Sequence, residues 1–380
     1  MRTLIISLAL LVAVTSPAPA EYENQLEEAL AEYEKGYYST AFNKFLPLAK
    51  QGVAEAQHHL ALMYDTEHPV PEDNPGLANW FRLIQNDEEA EKWYRKAAEQ
   101  GHVGAQFKIG HMYNSLRGAL FPIRLYGYEN NKKRAVRWFR LAAEQGHPQA
   151  QFKLGMLYLN GYGVPKDYVE AVKWYRKAAE QGLADAQNRL ANMYHDGLGL
   201  PKDYGQAVEW YRKAVDQDLA VAQYNLAGMY WRGHGVPQDE AEAKKWCRKA
   251  AANSFAAEQY ELGLTFKGFA ADADETLRVQ YYSGTVDFFR LAAELGHGEA
   301  QMRLAGHYGL GQWVPMDHVL AYMWANLAAA RLSGENAELA AAARHAAAGL
   351  MTAAQIAEAQ KLSREWRVCG NLGVVFAVFQ

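Results

Sequence analysis

Tyr168–Asp203 reads YVEAVKWYRKAAEQGLADAQNRLANMYHDGLGLPKD, and Tyr204–Asp239 reads YGQAVEWYRKAVDQDLAVAQYNLAGMYWRGHGVPQD. Both stretches are 36 residues long, and Lys132–Asp167 matches them without a gap. Self-similarity at a fixed period of this size marks a stacked repeat. Each unit holds two helical patterns. The first, from about Ala184 to His195, carries Ala186, Leu190, Ala191, Met193 and Tyr194 at helical spacing. Gly197, Gly199 and Pro201 end it, because glycine permits positive φ and proline cannot continue a helix. The second starts at Asp203 and buries a stripe of Ala207, Val208, Trp210, Tyr211 and Ala214. Asp167-x-x-Glu170, Asp203-x-x-Gln206 and Asp239-x-x-Glu242 resemble capping boxes, and Gly182 stands where a left-handed C-cap is expected. Two short helices cannot bury their own apolar faces, so the units must stack.

Two ladders extend the frame outward. One runs Trp93, Trp138, Trp174, Trp210, Trp246, Phe288, Trp324, and the other Gln57, Gln106, Gln151, Gln187, Gln223, Gln259, Gln301. Each of the first six aromatics precedes the next Gln by 13 residues. That constant spans the tight turn from the second helix of one unit to the first helix of the next, and it predicts a packed spine. The distance from Gln to the next aromatic is 23, but 36 after Gln57, 32 after Gln106 and 29 after Gln259. The insertions, near 74–87, 115–131 and 268–283, are therefore expected as loops on one edge, between the two helices of a unit.

The recurring A-x-A-Q-x-x-L-G-x-M-Y…G-x-G-V-P-x-D…A-V-x-W-Y-R-K-A-A-E-Q-G resembles the Sel-one-like repeat, a relative of the tetratricopeptide repeat. The likeness covers about residues 38–330. The first unit departs from it with Lys44 in place of the aromatic, and the fifth lacks the G-x-G-V-P loop. Asp317 to Ala330 and Met351 to Trp366 are similar to the family's closing elements, with Thr352-x-x-Gln355 opening the last helix. The resemblance implies an all-α fold, an α/α superhelical solenoid of about seven helical pairs. It also implies an N-terminal capping helix over 21–37 and C-terminal capping helices over 331–367. Family members act mostly as adaptors that bind proteins, and exported bacterial members serve envelope assembly, polysaccharide control and host contact. A cysteine-rich branch is linked to β-lactam binding. It carries paired cysteines in each repeat, which this chain does not, so a hydrolase-like role stands only as the alternative.

At the N-terminus, Arg2, the apolar run Leu4 to Val14 and Ala18-Pro19-Ala20 read as a cleavable secretory signal over residues 1–20, which predicts a periplasmic or secreted protein. No later stretch is long and apolar enough to span a membrane. Without Arg2 the chain has 38 basic against 43 acidic residues, a net charge of −5, which argues against nucleic acid as the partner. Cys247 and Cys369 are the only cysteines; one bridge is possible in an oxidising compartment, but spacing cannot show it, and two separate thiols is the favoured expectation. The apolar tail 368–380 (VCGNLGVVFAVFQ) breaks the helical pattern, and no role follows from its composition.

The residues offer no catalytic constellation. Gly161-x-Gly163, Gly197-x-Gly199 and Gly233-x-Gly235 lack the preceding strand and third glycine of a dinucleotide loop. His102, His147 and His297 share one turn position and read as repeat consensus, while no His/Cys cluster has metal-ligand spacing. Glu27-Glu28 and Glu88-Glu89 read as solvated surface. No catalytic residue, metal or cofactor is therefore expected, and the chain reads as a non-enzymatic binder of a protein partner.

Two surfaces are candidates. If first helices line an inner face, the residue after each ladder Gln points inward, as do those four and seven further on. Phe107, Phe152 and Tyr224 belong to the first of these rows, where packing between units is the favoured reading because a stripe at helical spacing is usually core; Leu159, His195 and Trp231 belong to the last, which varies most between units. Trp231 is the best single anchor, because aromatic residues dominate binding hot spots. The second surface is the insertion edge, with Trp80 and Phe81 in the first insertion and Phe121 and Tyr126 in the second.

Overall fold

The structure, a computed structural model, describes residues 20–66, 84–115, 126–253, 255–272 and 275–370. The expected signal segment, the first insertion up to residue 83 with Trp80 and Phe81, Phe121 and the tail beyond residue 370 lie outside the described residues. Among the described residues all regular structure is helical. Eighteen helices follow one another: α1 Ala20–Glu34, α2 Tyr38–Lys50, α3 Ala54–Tyr64, α4 Asp87–Glu99, α5 Val103–Asn114, α6 Tyr126–Glu144, α7 Pro148–Asn160, α8 Tyr168–Glu180, α9 Ala184–Asp196, α10 Tyr204–Val215, α11 Ala220–Arg232, α12 Glu240–Ala252, α13 Phe255–Asp272, α14 Glu275–Glu294, α15 Gly298–Leu310, α16 His318–Ala329, α17 Gly334–Ala348 and α18 Ala353–Glu365. The chain falls into two compact units: residues 1–186 with 198–200, and residues 187–197 with 201–380.

In the first unit consecutive helices pack in pairs around a core in which the small residues Ala90, Ala97, Ala105, Ala135 and Ala150 alternate with Tyr94, Ile109, Phe139 and Leu154. Trp93, Trp138 and Trp174 are buried there. Lys96 and Lys177 lie 4.4 and 4.5 Å from the ring centres of Trp93 and Trp174, so each indole is covered by a cation from its own helix.

The 13-residue spine is a Schellman-type turn. Gly101 (φ +89) ends α4, and the His102 N–H donates to the Ala97 carbonyl at 3.1 Å. The same geometry recurs at Gly146 and His147, and in the second unit at Gly296 and His297. Four of the second helices, α8, α10, α12 and α16, are capped by an acidic residue, and α4 is capped by Asn86. The Asp167 carboxylate accepts from the N–H groups of Val169 and Glu170, and Asp203, Asp239 and Asp317 act likewise. Glu170, expected to reach back, instead pairs forward with Lys173 at 3.0 Å. At α18 Thr352 and Gln355 form the full reciprocal box.

The G-x-G loops have a packing reason. A Cβ on Gly199 would lie 2.3 Å from the Tyr168 carbonyl oxygen, at φ +73. In the final repeat Trp313 occupies the matching position with φ +65, stacks on Tyr282 at 4.0 Å and stays 47% exposed.

Two expectations are corrected. The third insertion is helical over 268–272 and 275–283, extending α13 and α14 into the longest hairpin of the second unit; α6 likewise takes in 126–131 of the second insertion. No glycine–proline stop interrupts Ala270-Ala271 or Thr276-Leu277-Arg278-Val279, so helix continues where a loop was expected. The two cysteines are not separate thiols. Cys247 of α12 is bonded to Cys369, 122 residues later, and both are buried with Phe255, Leu291 and Leu295.

Candidate partner-binding surfaces

The ladder glutamines form the spine's polar thread. Gln106 Nε2 donates to the Ala98 carbonyl at 3.1 Å, at the end of the preceding helix, and its Oε1 accepts from Gln145 Nε2 of the next turn at 2.7 Å. Gln57 makes the same two bonds with Ala49 and Gln100, and Gln151 with Ala143 and Gln181. In the second unit Gln187 accepts from Gln217 and Gln223 from Asn253. The buried amides of Gln57, Gln106 and Gln151 are thus paired at both ends, as buried polar groups require.

His102, His147 and His297 are N-caps. Their Nδ1 atoms accept from the N–H groups of Ala105, Ala150 and Ala300 at 3.0, 3.2 and 3.3 Å. Each ring also stacks on the residue after the preceding ladder Gln: His102 on His58 at 4.3 Å, His147 on Phe107 at 4.6 Å, His297 on Tyr260 at 4.5 Å. Burial pushes His147 and His297 below the usual imidazole range, which keeps them neutral and able to accept.

This geometry decides the first predicted row. Phe107 lies between His147 and Phe139, Phe152 packs on Tyr175, and Tyr224, 6% exposed, packs on Phe255 at 4.9 Å. Their rings pack in the space between successive helices. Phe107 and Phe152 are half-buried, as are Leu159, His195 and Trp231 of the last row. His195 meets Asp196 at 2.7 Å and faces the stacked pair Tyr204–His234, while Trp231 lies against the core around Cys247. Tyr126 opens α6, but its side chain lies outside the described residues.

Three polar clusters escaped the sequence. In the first unit Glu55 bridges His59 Nε2 at 3.2 Å and His102 Nε2 at 3.0 Å, and these bonds hold its carboxyl well below the usual range despite burial. In the second unit Asn225 Nδ2 donates to Asn188 Oδ1 at 2.9 Å and Asn192 Oδ1 at 3.3 Å, and Tyr211 donates its hydroxyl to Asn192 Oδ1 at 2.6 Å. At the C-terminal end Glu294 is buried, accepts from the Trp366 indole at 3.3 Å, and has its carboxyl pushed up to about 7 by burial. The segment Trp366 to Gly370 folds back there: Arg331 covers the Trp366 ring at 4.5 Å, and the Cys369 N–H reaches the Glu294 carbonyl. Among the described residues no three His, Cys, Asp or Glu side chains converge as a metal requires, and no helix is long and apolar enough to cross a membrane.

Stacked helical pairs with a fixed polar spine define an α/α repeat protein. The Sel1 repeat is matched over residues 54–81, 80–102, 103–147, 148–183, 184–219, 220–255, 285–297 and 298–331, so the chain belongs to the Sel1 repeat family, with helices packed pairwise as in its solenoids. A Sel1 repeat protein from Oxalobacter formigenes is 32% identical, with a TM-score of 0.52, over 64% of this chain and 90% of that one. The protective antigen c5321 of uropathogenic Escherichia coli strains, which displays an SLR fold, is 25% identical over 90% of this chain and 91% of its own, with a TM-score of 0.48. Comparison with curated proteins gives no match.

Proposed function

We propose that this chain is a non-enzymatic protein-interaction scaffold of the bacterial envelope. The observation that carries the reading is the contrast between spine and face. The spine is a repeated, hydrogen-bonded polar thread, whereas the first-helix positions Leu159, His195 and Trp231 differ from unit to unit and keep part of their surface open. Variation within a fixed frame supports recognition of one partner. Export is supported by the buried Cys247–Cys369 bond, which persists in an oxidising compartment, and by the apolar segment 4–14. The β-lactam reading loses support from the cysteine pattern: one bond joins α12 to the C-terminal segment, with no pair inside each repeat.

In-cell crosslinking followed by mass spectrometry tests the scaffold. A partner recovered from the envelope by the full chain, and weakened by Trp231→Ala, is the expected result. Absence of any crosslinked protein, or saturable nitrocefin turnover by the purified chain, would sink it.

A further inference from the structure

The loop between α15 and α16 keeps the frame of the earlier G-x-G loops and changes their surface. Before the first glycine those loops carry Asn160, Asp196 or Arg232; here Leu310 stands. The second glycine, Gly163, Gly199 or Gly235, becomes Trp313, and Lys166, Lys202 or Gln238 becomes Met316. Only Gln312 runs the other way, against Tyr162, Leu198 and His234. From Tyr308 to Met316 the chain carries no charge. The backbone closes as before. The Gly311 N–H, at φ +62, donates to the His307 carbonyl. The Asp317 N–H donates to the Tyr308 carbonyl at 3.0 Å, as Asp167 does to Tyr158 and Asp239 to Tyr230. Three polar or empty positions have thus become large and apolar within an unchanged turn.

All three replacements face water. Leu310, Trp313 and Met316 are 69, 64 and 47% exposed in the order Leu310, Met316, Trp313. The other exposed large apolar residues described in the second unit, Leu262, Leu339 and Leu350, lie on α13, α17 and the turn after α17. A Cβ on Gly311 would stand 3.2 Å from the Met316 Cβ, which sets Met316 beside the residue that follows Leu310. Trp313 is held in place. Its indole lies on Tyr282, nearly parallel at 13°, and the His307 ring donates to the Gln312 carbonyl at 3.1 Å. Its φ of +65 is a conformation that bulky residues avoid and glycine adopts freely. A large apolar side chain that accepts this strain and still stays in water is not kept there by the core, and such outliers point to function.

We propose that Leu310, Trp313 and Met316 dip into the surface of a lipid bilayer and give the second unit a peripheral membrane contact. Three side chains are far fewer than the roughly 20 residues, about 800 Å², that each partner gives to a stable protein complex. A bilayer needs no matching shape and takes up a small apolar tip by itself. The loop offers no charge for a charged partner to pair with. Leucine and methionine favour hydrocarbon, while an indole favours the boundary, where its ring is buried and its N–H reaches the headgroups. No described helix is long and apolar enough to cross, so the contact is one of a loop tip. A contact of this size is shallow and reversible. The inference stands beside the scaffold reading and does not rest on it.

The test mixes the purified, oxidised full chain with phosphatidylcholine vesicles and measures co-sedimentation at low and high salt. Expected is reversible binding that salt leaves unchanged, weakened about tenfold by Trp313→Gly and again by Met316→Lys. Both variants carry residues that neighbouring repeats hold in the same turn, so their melts should stay close to wild type. Lipid brominated in its acyl chains should quench a part of the wild-type emission that Trp313→Gly lacks. That reading is local to the loop, so the apolar segment 4–14 does not enter it. If Trp313→Gly does not fold, Met316→Lys and Leu310→Asp carry the decision. No sedimentation, equal binding by wild type and variants, or binding seen only on phosphatidylglycerol vesicles and abolished by salt overturns the proposal. Self-association or a protein crosslink that Trp313→Gly removes, with no vesicle binding, overturns it in favour of a protein contact. A partner weakened by Trp231→Ala, with no vesicle binding, overturns the bilayer contact and leaves the scaffold standing. Vesicle binding lost with Trp313→Gly, and no crosslinked partner, does the reverse.

Discussion

The first unit and the C-terminal end of the second solve one problem differently. In the first, three successive rungs tie each ladder glutamine to the helix before it and to the turn after it. In the second, the residues that should supply the next rungs are Leu295 and Arg331, and the Gln301 Oε1 is buried with no partner. What replaces the thread is a folded-back segment: a disulfide to α12, an indole on a buried carboxyl, and a guanidinium over that indole. An interior repeat can be held by its neighbours through polar rungs of modest strength. The last repeats have a neighbour on one side only, and a covalent tie compensates for the missing one.

The sharpest way to break the comparison is to cut the tie. Cys369→Ser should destabilise the second unit by roughly 5 kcal/mol, the chain-entropy value for closing a loop of this length. Urea unfolding followed at Trp366 and Trp324 checks it; an unchanged midpoint would show the tie to be redundant.

Next in size is the carboxyl at the seam. Because folding raises the Glu294 pKa from its ordinary value to about 7, its stabilising share is present below pH 4.5 and is lost as pH rises through 7. Arg290 and the Trp366 indole offset only part of the burial. Glu294→Gln should therefore stabilise the chain by roughly 3 kcal/mol at pH 8 and by almost nothing at pH 4, read from melts at the two pH values.

The rungs themselves come third. Gln106→Leu removes a donor and an acceptor that are both in use and should cost about 2 kcal/mol. Gln301→Leu removes one bond, to Ala293, along with an unpaired oxygen, and should cost less than half as much. Equal losses would mean that the thread contributes nothing beyond its first bond.

The smallest effect is the imidazole cap. Burial lowers the His147 pKa, so its contribution is present at neutral pH and lost as pH falls below about 6.5. His147→Asn should keep the cap within about 1 kcal/mol and flatten the acid side of the stability curve. A slope unchanged between pH 7 and 5 would assign it to other histidines.

The periodic part of this molecule was legible because period is what stacking imposes: the 13-residue spine, the caps at Asp167, Asp203 and Asp239, and the helical pairs all follow from spacing. The bonding of the ladder was not. Gln145 and Gln181 read as ordinary turn residues until the fold sets them beside Gln106 and Gln151. Cys369 lies past the last periodic helix, so no spacing places it near Cys247; its position depends on the fold-back at Trp366. The asparagines were hidden for another reason. Each alone is an ordinary variation, and only two adjacent helices turn three variations into a group. The visible clue was that all three frame positions are free of Asn in every other repeat.

The disulfide has a mechanical side as well. A stacked array under tension peels from its ends, because each terminal unit is gripped on one flank only. With position 369 bonded to position 247, 122 residues earlier, a pull on the C-terminus bypasses the segment between them and loads α12 directly. Stretched between its ends, the oxidised protein would hide roughly 400 Å of contour that a reducing buffer releases.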